Sequence, residues 1–598
     1  MSDANETVAI DDQEPKAANG ASRVLSILGG LGLLIPAALA CLSGYLWPTV
    51  RTFWLSLRDV GFDFSNSTYV GLANYERLLS DRALGATIGF TLLLTVVRLA
   101  AVEVVPPLLA VGASALGRTG RRILRVVFTI PIALYMPAAA AFGWRLSLVE
   151  TSRAMGFTLG DPASARAMVL LLDGLYTLVL ACGLGLIVLL PALEERRDAG
   201  EGARRAWMPL LAAWLIGLLA TVALAPQTFG FISIMTGGGP ARATSTIALY
   251  QYEVTLRMMR FGLGAALSAL ELIPLIVLGL LAGGILVFTR LQLDLAPAQA
   301  LSTGGEPAEP QGSGRSIRLI VGALALLVAL AACTLTTLPL ATTALGNLDP
   351  AGFAQFIEEV RPVPGLLISI FVPLLGLLLL LPITYLAALG IGALRPLGRW
   401  SEALLLLFTP WLFVTASPLS LVFLNRLQQL DRLNRPLALN PPIAISVIGL
   451  VALTLFFKGR TATWRAGQEE GDPSSRGFFG GVILPSLPLV AALGLGALLV
   501  GMQRQYWQTL AYYGRDVTLP SMAWLKMGGS YFVSPEIWAP AVLVYVVPPF
   551  LLLFVGLSVL QVLYLDRLVL RRDEPEEAAR TFEEGTDGST VVDEPGTA

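Results

Sequence analysis

The sequence predicts an all-α polytopic membrane protein with about twelve transmembrane helices in two six-helix halves. Three observations predict it. Of 598 residues, 55% are hydrophobic and only 14% charged, with a mean hydropathy of +0.70, outside what a water-soluble core needs. Apolar runs of about 20 residues or more recur along the chain, the length a helix needs to cross hydrocarbon while satisfying its own backbone amides. The series of runs then restarts after a polar stretch near the middle of the chain.

The elements follow in order. Residues 1–23 form an acidic, polar tail, and no small-residue cleavage pattern closes the first apolar run, so that run is expected as a retained span. Apolar runs place spans at 24–47, 84–116, 122–145, 166–191, 208–234 and 262–289, which gives a first half over 24–292. Residues 293–316, rich in Pro, Gly, Ser and Glu, read as a flexible linker. A second half over 317–570 follows, with spans near 317–345, 365–394, 401–424, 442–457, 479–502 and 538–565. Residues 571–598 are acidic and poor in apolar side chains, the composition of a disordered tail.

The halves echo each other: Gly120-Arg121 lies a short apolar run ahead of Pro131, as Gly398-Arg399 does ahead of Pro410. Such internal repeats place a solute path at the interface between halves. An even number of spans puts both termini on one side, and arginine density picks the cytoplasmic one. The turns holding Arg118 to Arg125, Arg196-Arg197 with Arg204-Arg205, Arg395 with Arg399, and Arg567 with Arg571 and Arg572 belong there.

Several function classes drop out. Cys41, Cys182 and Cys333 each sit inside an apolar run and read as small buried hydrophobes rather than disulfide partners. The sequence holds no histidine, which removes the commonest zinc ligand and proton shuttle, so neither metal nor other cofactor is expected. A formal net charge of −1 gives no case for nucleic acid. Gly-Lys occurs nowhere, so the chain lacks the phosphate-cradling loop of an ATPase and is expected to be no enzyme.

A carboxylate at the bilayer centre costs about 2.5–3.5 kcal/mol on insertion scales. Glu103, Asp173 and Glu271 are therefore expected to face protein or water, with Arg98 pairing Glu103 on one span.

Ordered motifs then carry a resemblance. Trp47-Pro48, Ser56-Leu57, Val70 to Tyr75 and Leu78 to Asp81 come first, then Arg121 to Arg125, Pro131 and Trp144. The sharpest is Phe229 to Pro240, containing Thr236, Gly237, Gly238, Gly239 and Pro240, followed by Ala243-Thr244, Leu249-Tyr250, Tyr252, Phe261-Gly262, Ala265-Ala266 and Ser268. Together these resemble the permeases of binding-protein-dependent ABC sugar importers of the maltose-transporter type. Leu397 to Arg399, Thr409-Pro410, Leu433-Asn434, 445–459, Val482 to Pro485 and Thr518 to Pro520 are similar to the companion permease of the same systems.

The resemblance implies a type I ABC importer permease fold, with both halves fused in one chain. It implies a multi-pass inner-membrane location, an ABC ATPase subunit dimer as motor, and an extracytoplasmic sugar-binding protein that docks on the T-G-G-G-P loop. The sugar path would run along the fourth to sixth spans, where Asp173, Tyr176, Thr177, Gln227, Thr228 and Glu271 are the candidates; hydroxyls, amides and aromatic faces suit a sugar. Helix-to-helix hydrogen bonding is the competing reading of each of these residues.

One departure stands out. The family's cytoplasmic E-A-A loop, whose short helix fits a groove on the ATPase, is replaced in the second half by Ala466 to Gln468 and Gly471-Asp472, although Phe479, Val482, Leu484 and Pro485 keep its closing pattern, and in the first half Pro191 to Pro209 holds Glu194, Glu195, Asp198 and Gly200 without the family's spacing. Docking charges would come from Glu194, Glu195, Arg196, Arg197, Arg204 and Arg205 in the first half and from Glu469 and Glu470 in the second. An ion-driven secondary transporter of twelve spans and a non-transporting permease-derived sensor are the alternatives.

Overall fold

The computed structural model describes residues 16–61, 64, 67–155, 159–198, 207–295, 313–346, 349–360, 362–469, 477–512, 518 and 535–572. Eight helices among them are long and apolar enough to cross a bilayer: Ser26–Ser56, Arg82–Ser114, Pro162–Leu193, Phe261–Thr289, Arg315–Thr342, Pro362–Leu394, Phe479–Met502 and Pro540–Arg567. Their outward residues are bare apolar side chains such as Leu92, Leu327, Leu378, Leu379 and Val555. That surface suits acyl chains, and the protein is a multi-pass membrane protein.

The remaining expected spans are broken, and proline explains most of the breaks. The third run forms two helices, Arg118–Ala133 and Pro137–Arg145, bent by 75°. Pro131 lacks an amide hydrogen, and Pro137 disfavours helix at the residue before it. Its counterpart at 401–424 is not one α-helix but the 3₁₀ segments Gly398–Leu407 and Thr409–Trp411 followed by the α-helix Ser420–Gln429, with Pro410 and Pro418 in the path. The run at 208–234 divides at Pro226 into Met208–Leu224 and Gly230–Met235. Pro441-Pro442 delays the helix expected at 442–457 to Val447–Glu469.

The chain alternates between two faces. On one, a two-stranded antiparallel ribbon, β1 (Arg58–Val60) with β2 (Ser67–Tyr69), follows the first span. On the other, β3 (Leu291–Leu295) pairs antiparallel with β4 (Leu568–Arg572), Leu291 opposite Arg572 and Leu295 opposite Leu568. This second ribbon ties the end of the first half to the end of the second. It takes in residues 293–295 of the segment expected as linker, and Arg571 and Arg572 of the expected tail.

Charges reinforce the ribbon face. Arg125 Nη1 lies 2.6 Å and Arg122 Nε 3.3 Å from the Asp566 carboxylate. Glu402 meets Lys458 at 3.1 Å and Arg395 at 3.2 Å, and Thr463 donates to Asp294 of β3.

The halves are also interlocked. Helix Lys16–Cys41 packs on Pro362–Leu389 of the second half, and helix Ser313–Gly346 packs on Val105–Ser114 and Pro162–Asp198 of the first, so the first helices are exchanged. Two glycines permit the second crossing: a Cβ on Gly112 would stand 2.1 Å from Gly322 Cα, and one on Gly322 would stand 2.3 Å from Gly112 Cα. The main core cluster draws on both halves, from Leu34 to Leu565.

Candidate functional site

Helix Phe261–Thr289 runs along the seam between the halves. Ser268, Glu271, Leu275 and Gly279 recur at spacings of three and four, so they share one helical face, and all four are buried. At Gly279 this face touches the second half so closely that a Cβ would lie 2.1 Å from Thr409 O. At Ser268 it begins a polar bridge. Gln251 Nε2 donates to Ser268 Oγ and, at 3.0 Å, to the Ser417 carbonyl. Tyr506 donates its hydroxyl to Gln251 Oε1 at 3.2 Å and lies 3.1 Å from the Ser420 hydroxyl.

Aromatic rings stand beside this bridge. Phe229 meets Tyr506 edge-on at 5.0 Å between centroids and Tyr252 at 5.3 Å. Gln505 Nε2 reaches Ser233 Oγ at 3.5 Å. Residues 229–268 thus exchange hydrogen bonds and ring contacts with 417–506 in a buried seam, an arrangement of amides, hydroxyls and ring faces that matches the groups of a sugar.

Among the residues expected on the path, Glu271 and Gln227 lie in the seam. Glu271 is 4% exposed and neither carboxylate oxygen has a hydrogen-bond partner among the described residues. Gln227 donates to the Phe413 carbonyl at 2.9 Å and accepts from the Thr415 amide at 2.8 Å, a second bridge between halves. Thr228 contributes its carbonyl to the Thr246 hydroxyl and turns its own hydroxyl back to Leu224 O. Tyr176 stacks between Tyr135 at 5.9 Å and Phe231 at 6.3 Å, and Thr177 is half-buried on the same helix.

Asp173 is committed elsewhere. Its two oxygens each take a 2.7 Å bond from Arg98 Nε and Nη2, a fork that replaces the expected Arg98–Glu103 pair. The reason is helical geometry: five residues of separation turn Glu103 about 140° from Arg98, whereas Asp173 faces it from the next helix.

Sequence reading missed Gln251, Ser417, Ser420, Gln505 and Tyr506 as path candidates. Their signal is weak, because Gln251, Gln505 and Tyr506 lie beside expected spans and Ser417 and Ser420 are small hydroxyls within the expected 401–424 run, and only the tertiary fold brings them together.

The Thr236 to Pro240 segment forms a loop on the β1–β2 face. Thr236 and Thr244 hydroxyls lie 2.7 Å apart, Thr244 donates to Gly239 O at 3.0 Å, and the Gly239 amide bonds Thr236 O at 3.1 Å. Gly237 and Gly238 take positive φ of 61° and 84°, where side chains are strained. Gly237 and Ala241 reach the surface. Nearby, Tyr250 donates to Asp81, which holds that carboxyl below its ordinary range, while burial first and then this bond push the phenol up. Arg242 pairs with Glu253 at 2.7 Å.

On the ribbon face, Phe479 is 69% exposed and Leu484 is exposed, while Pro485 accepts a 2.7 Å bond from Tyr564. Glu194, Glu195, Arg196 and Arg197 lie on the backbone of helix Pro162–Asp198, and Glu469 ends helix Val447–Glu469; their side chains fall outside the described residues, as do Arg204, Arg205 and Glu470 entirely. Two open grooves of about 210 and 550 Å³ flank helix Met208–Leu224, but Trp207, Trp214, Leu280 and Phe288 line them. Such walls suit lipid chains better than a sugar.

No protein-family model matches the chain. Among curated proteins, it is similar to the trehalose/maltose transport system permease MalF of Thermococcus litoralis, 29% identical over 266 residues, covering 41% of this chain and 88% of the relative. It is 30% identical over 271 residues to the sn-glycerol-3-phosphate transport system permease UgpA of Agrobacterium fabrum, with 41% and 90% covered. The trehalose transport system permease SugA of Mycobacterium tuberculosis is 24% identical over 295 residues, with 46% and 90% covered. Each relative is matched over nearly all of its length by less than half of this chain. The chain belongs to the family of ABC sugar-transport permeases, at about twice their usual length.

Proposed function

We propose that the chain forms the translocation path of an ATP-driven sugar importer and moves its solute along the seam between its halves by alternating access. The observation that carries the reading is the buried polar bridge from Ser268 through Gln251 to Tyr506, Ser420 and Ser417. Polar groups inside a membrane bundle are costly unless they serve partners or a path, and these serve both halves at once. The relatives named for trehalose and maltose transport support an uncharged sugar as cargo.

The chain itself is a transport component, and ATP hydrolysis lies in partner subunits. A dimer of ABC ATPases would dock on the β3–β4 face, where Phe479, Leu484 and Pro485 keep the family's closing pattern and Phe479 stands free of the core. Charges at Glu194, Glu195, Arg196, Arg197, Arg204, Arg205, Glu469 and Glu470 would flank it. An extracytoplasmic sugar-binding protein would dock on Thr236 to Pro240. Both termini and the linker would then be cytoplasmic, with halves at 24–292 and 317–570. Motor subunits that bind one arrangement of the seam better than the other shift its population.

The test is uptake into proteoliposomes holding the chain, its ATPase and its binding protein. Paired cysteines replacing Gln251 and Tyr506, once oxidised, should stop ATP-dependent uptake, and reduction should return it to the level that the double variant shows before oxidation. Unchanged uptake with the seam locked, or uptake by the chain alone on an ion gradient, would overturn the proposal.

A further inference from the structure

Glu271 is the one carboxyl of the seam face of helix Phe261–Thr289, three residues past Ser268 and eight before the Gly279–Thr409 contact. Ser268, Gln251, Ser417, Ser420 and Tyr506 satisfy one another. Glu271 does not share in that: it is 4% exposed, and both Oε1 and Oε2 lack a donor among the described residues. No ion pair reaches it there, in contrast to Asp173, whose oxygens are both taken by Arg98. A carboxyl so placed lacks a donor among the described residues in the arrangement seen, and parting of the seam would open it to new partners.

Two acceptor oxygens on one carboxylate, one helical turn from the Ser268 that joins the bridge to Tyr506, whose ring meets Phe229 and Tyr252, suit a pair of neighbouring hydroxyls on a ring whose apolar face stacks on aromatics. The same group, ionised once water enters, repels a phosphate in the same place.

Resting on the translocation path proposed above, we infer that Glu271 is the specificity residue of that path, the acceptor that takes hydroxyls of uncharged sugars and excludes phosphorylated ones. The relatives divide on this chemistry, between trehalose or maltose and sn-glycerol-3-phosphate. The seam of this chain places it with the uncharged class.

The experiment measures equilibrium binding to the purified full chain in lipid nanodiscs, with trehalose and maltose as neutral probes and sn-glycerol-3-phosphate as the anionic one. Glu271→Gln keeps an acceptor and removes the charge; it should leave disaccharide affinity within about threefold and strengthen glycerol-3-phosphate binding about tenfold. Glu271→Leu should weaken disaccharide binding about tenfold or more. Circular dichroism and the thermal midpoint, held near those of the unmodified chain, separate these effects from misfolding.

Tyr506→Ala distinguishes the two ideas. If it weakens disaccharide binding while Glu271→Leu does not, the path stands and the role of Glu271 falls. If neither variant changes binding, both fall. Failure of the unmodified chain to bind either disaccharide at about 100 mM, far above an ordinary dissociation constant, also overturns the assignment.

Discussion

Asp566→Asn is the substitution for which the structure gives the clearest magnitude. Asp566 takes a 2.6 Å bond from Arg125 Nη1, and the two side chains are only 9% and 4% exposed. Arg125 has no second anchor: its Nε and Nη2 find no hydrogen-bond partner among the described residues. Arg122, 40% exposed and 3.3 Å away, adds a weaker, screened contact, worth about 0–1 kcal/mol. Asparagine keeps the shape and the Gln561 neighbour but leaves the Arg125 charge buried and unpaired. Breaking a buried pair from one side costs about 3–5 kcal/mol. Equilibrium unfolding of the full chain in mild detergent should show that loss. Arg125→Met combined with Asp566→Asn should recover most of it, because replacing both charges removes the desolvation problem along with the attraction. A single-variant loss below about 1 kcal/mol, or a double variant no more stable than the single, would refute the reasoning.

Two further outcomes follow from the packing. Gly322→Ala places a methyl 2.3 Å from Gly112 Cα, where carbon atoms ordinarily sit about 3.5–4.0 Å apart. Helix Ser313–Gly346 must move off Val105–Ser114, and a loss of about 1–3 kcal/mol is expected in the same unfolding assay. At the opposite face, the Tyr250 hydroxyl holds the Asp81 carboxyl below its ordinary value. Its contribution to stability is therefore present above the ordinary pKa of about 3.9 and is lost as pH falls through the lower folded value. Amide exchange of the segment after Asp81 should rise over that acid range, and Asp81→Asn should flatten the change.

Much of the fold was legible because hydropathy reports one physical demand, that backbone amides in lipid pair within their own segment. That demand marks runs, not their straightness. Pro131 and Pro410 mark the repeat, yet they also break both third runs, and Pro226 and Pro441-Pro442 disturb two more, which is why twelve runs yield eight long helices and one bent pair among the described residues. The site was legible only where a polar group interrupts an apolar run. Glu271 and Gln227 interrupt theirs and do lie in the seam, whereas Asp173 interrupts its run to hold Arg98. Gln251 and Tyr506 interrupt nothing, since each lies beside a span, and no local pattern distinguishes them.

The exchanged first helices change what the fusion contributes. A linker alone raises the effective concentration of one half near the other and makes no contact of its own. Here helix Lys16–Cys41 already lies on the second half and helix Ser313–Gly346 on the first, so the interlock would hold without a covalent join. What the join adds is local: strand β3 leaves the first half at Leu291, pairs with β4 at the far end of the chain, and places Asp294 against Thr463 and Arg460. Both faces of the seam are therefore unequal. The β3–β4 face joins the two halves by strand pairing and by the buried Arg125–Asp566 pair, while on the opposite face the β1–β2 ribbon and the Arg242–Glu253 pair both lie within the first half. If, as proposed, the path opens to one side at a time, the interactions that must break on each side differ in kind, and opening at the β3–β4 face has to part strand pairing and a buried ion pair between the halves.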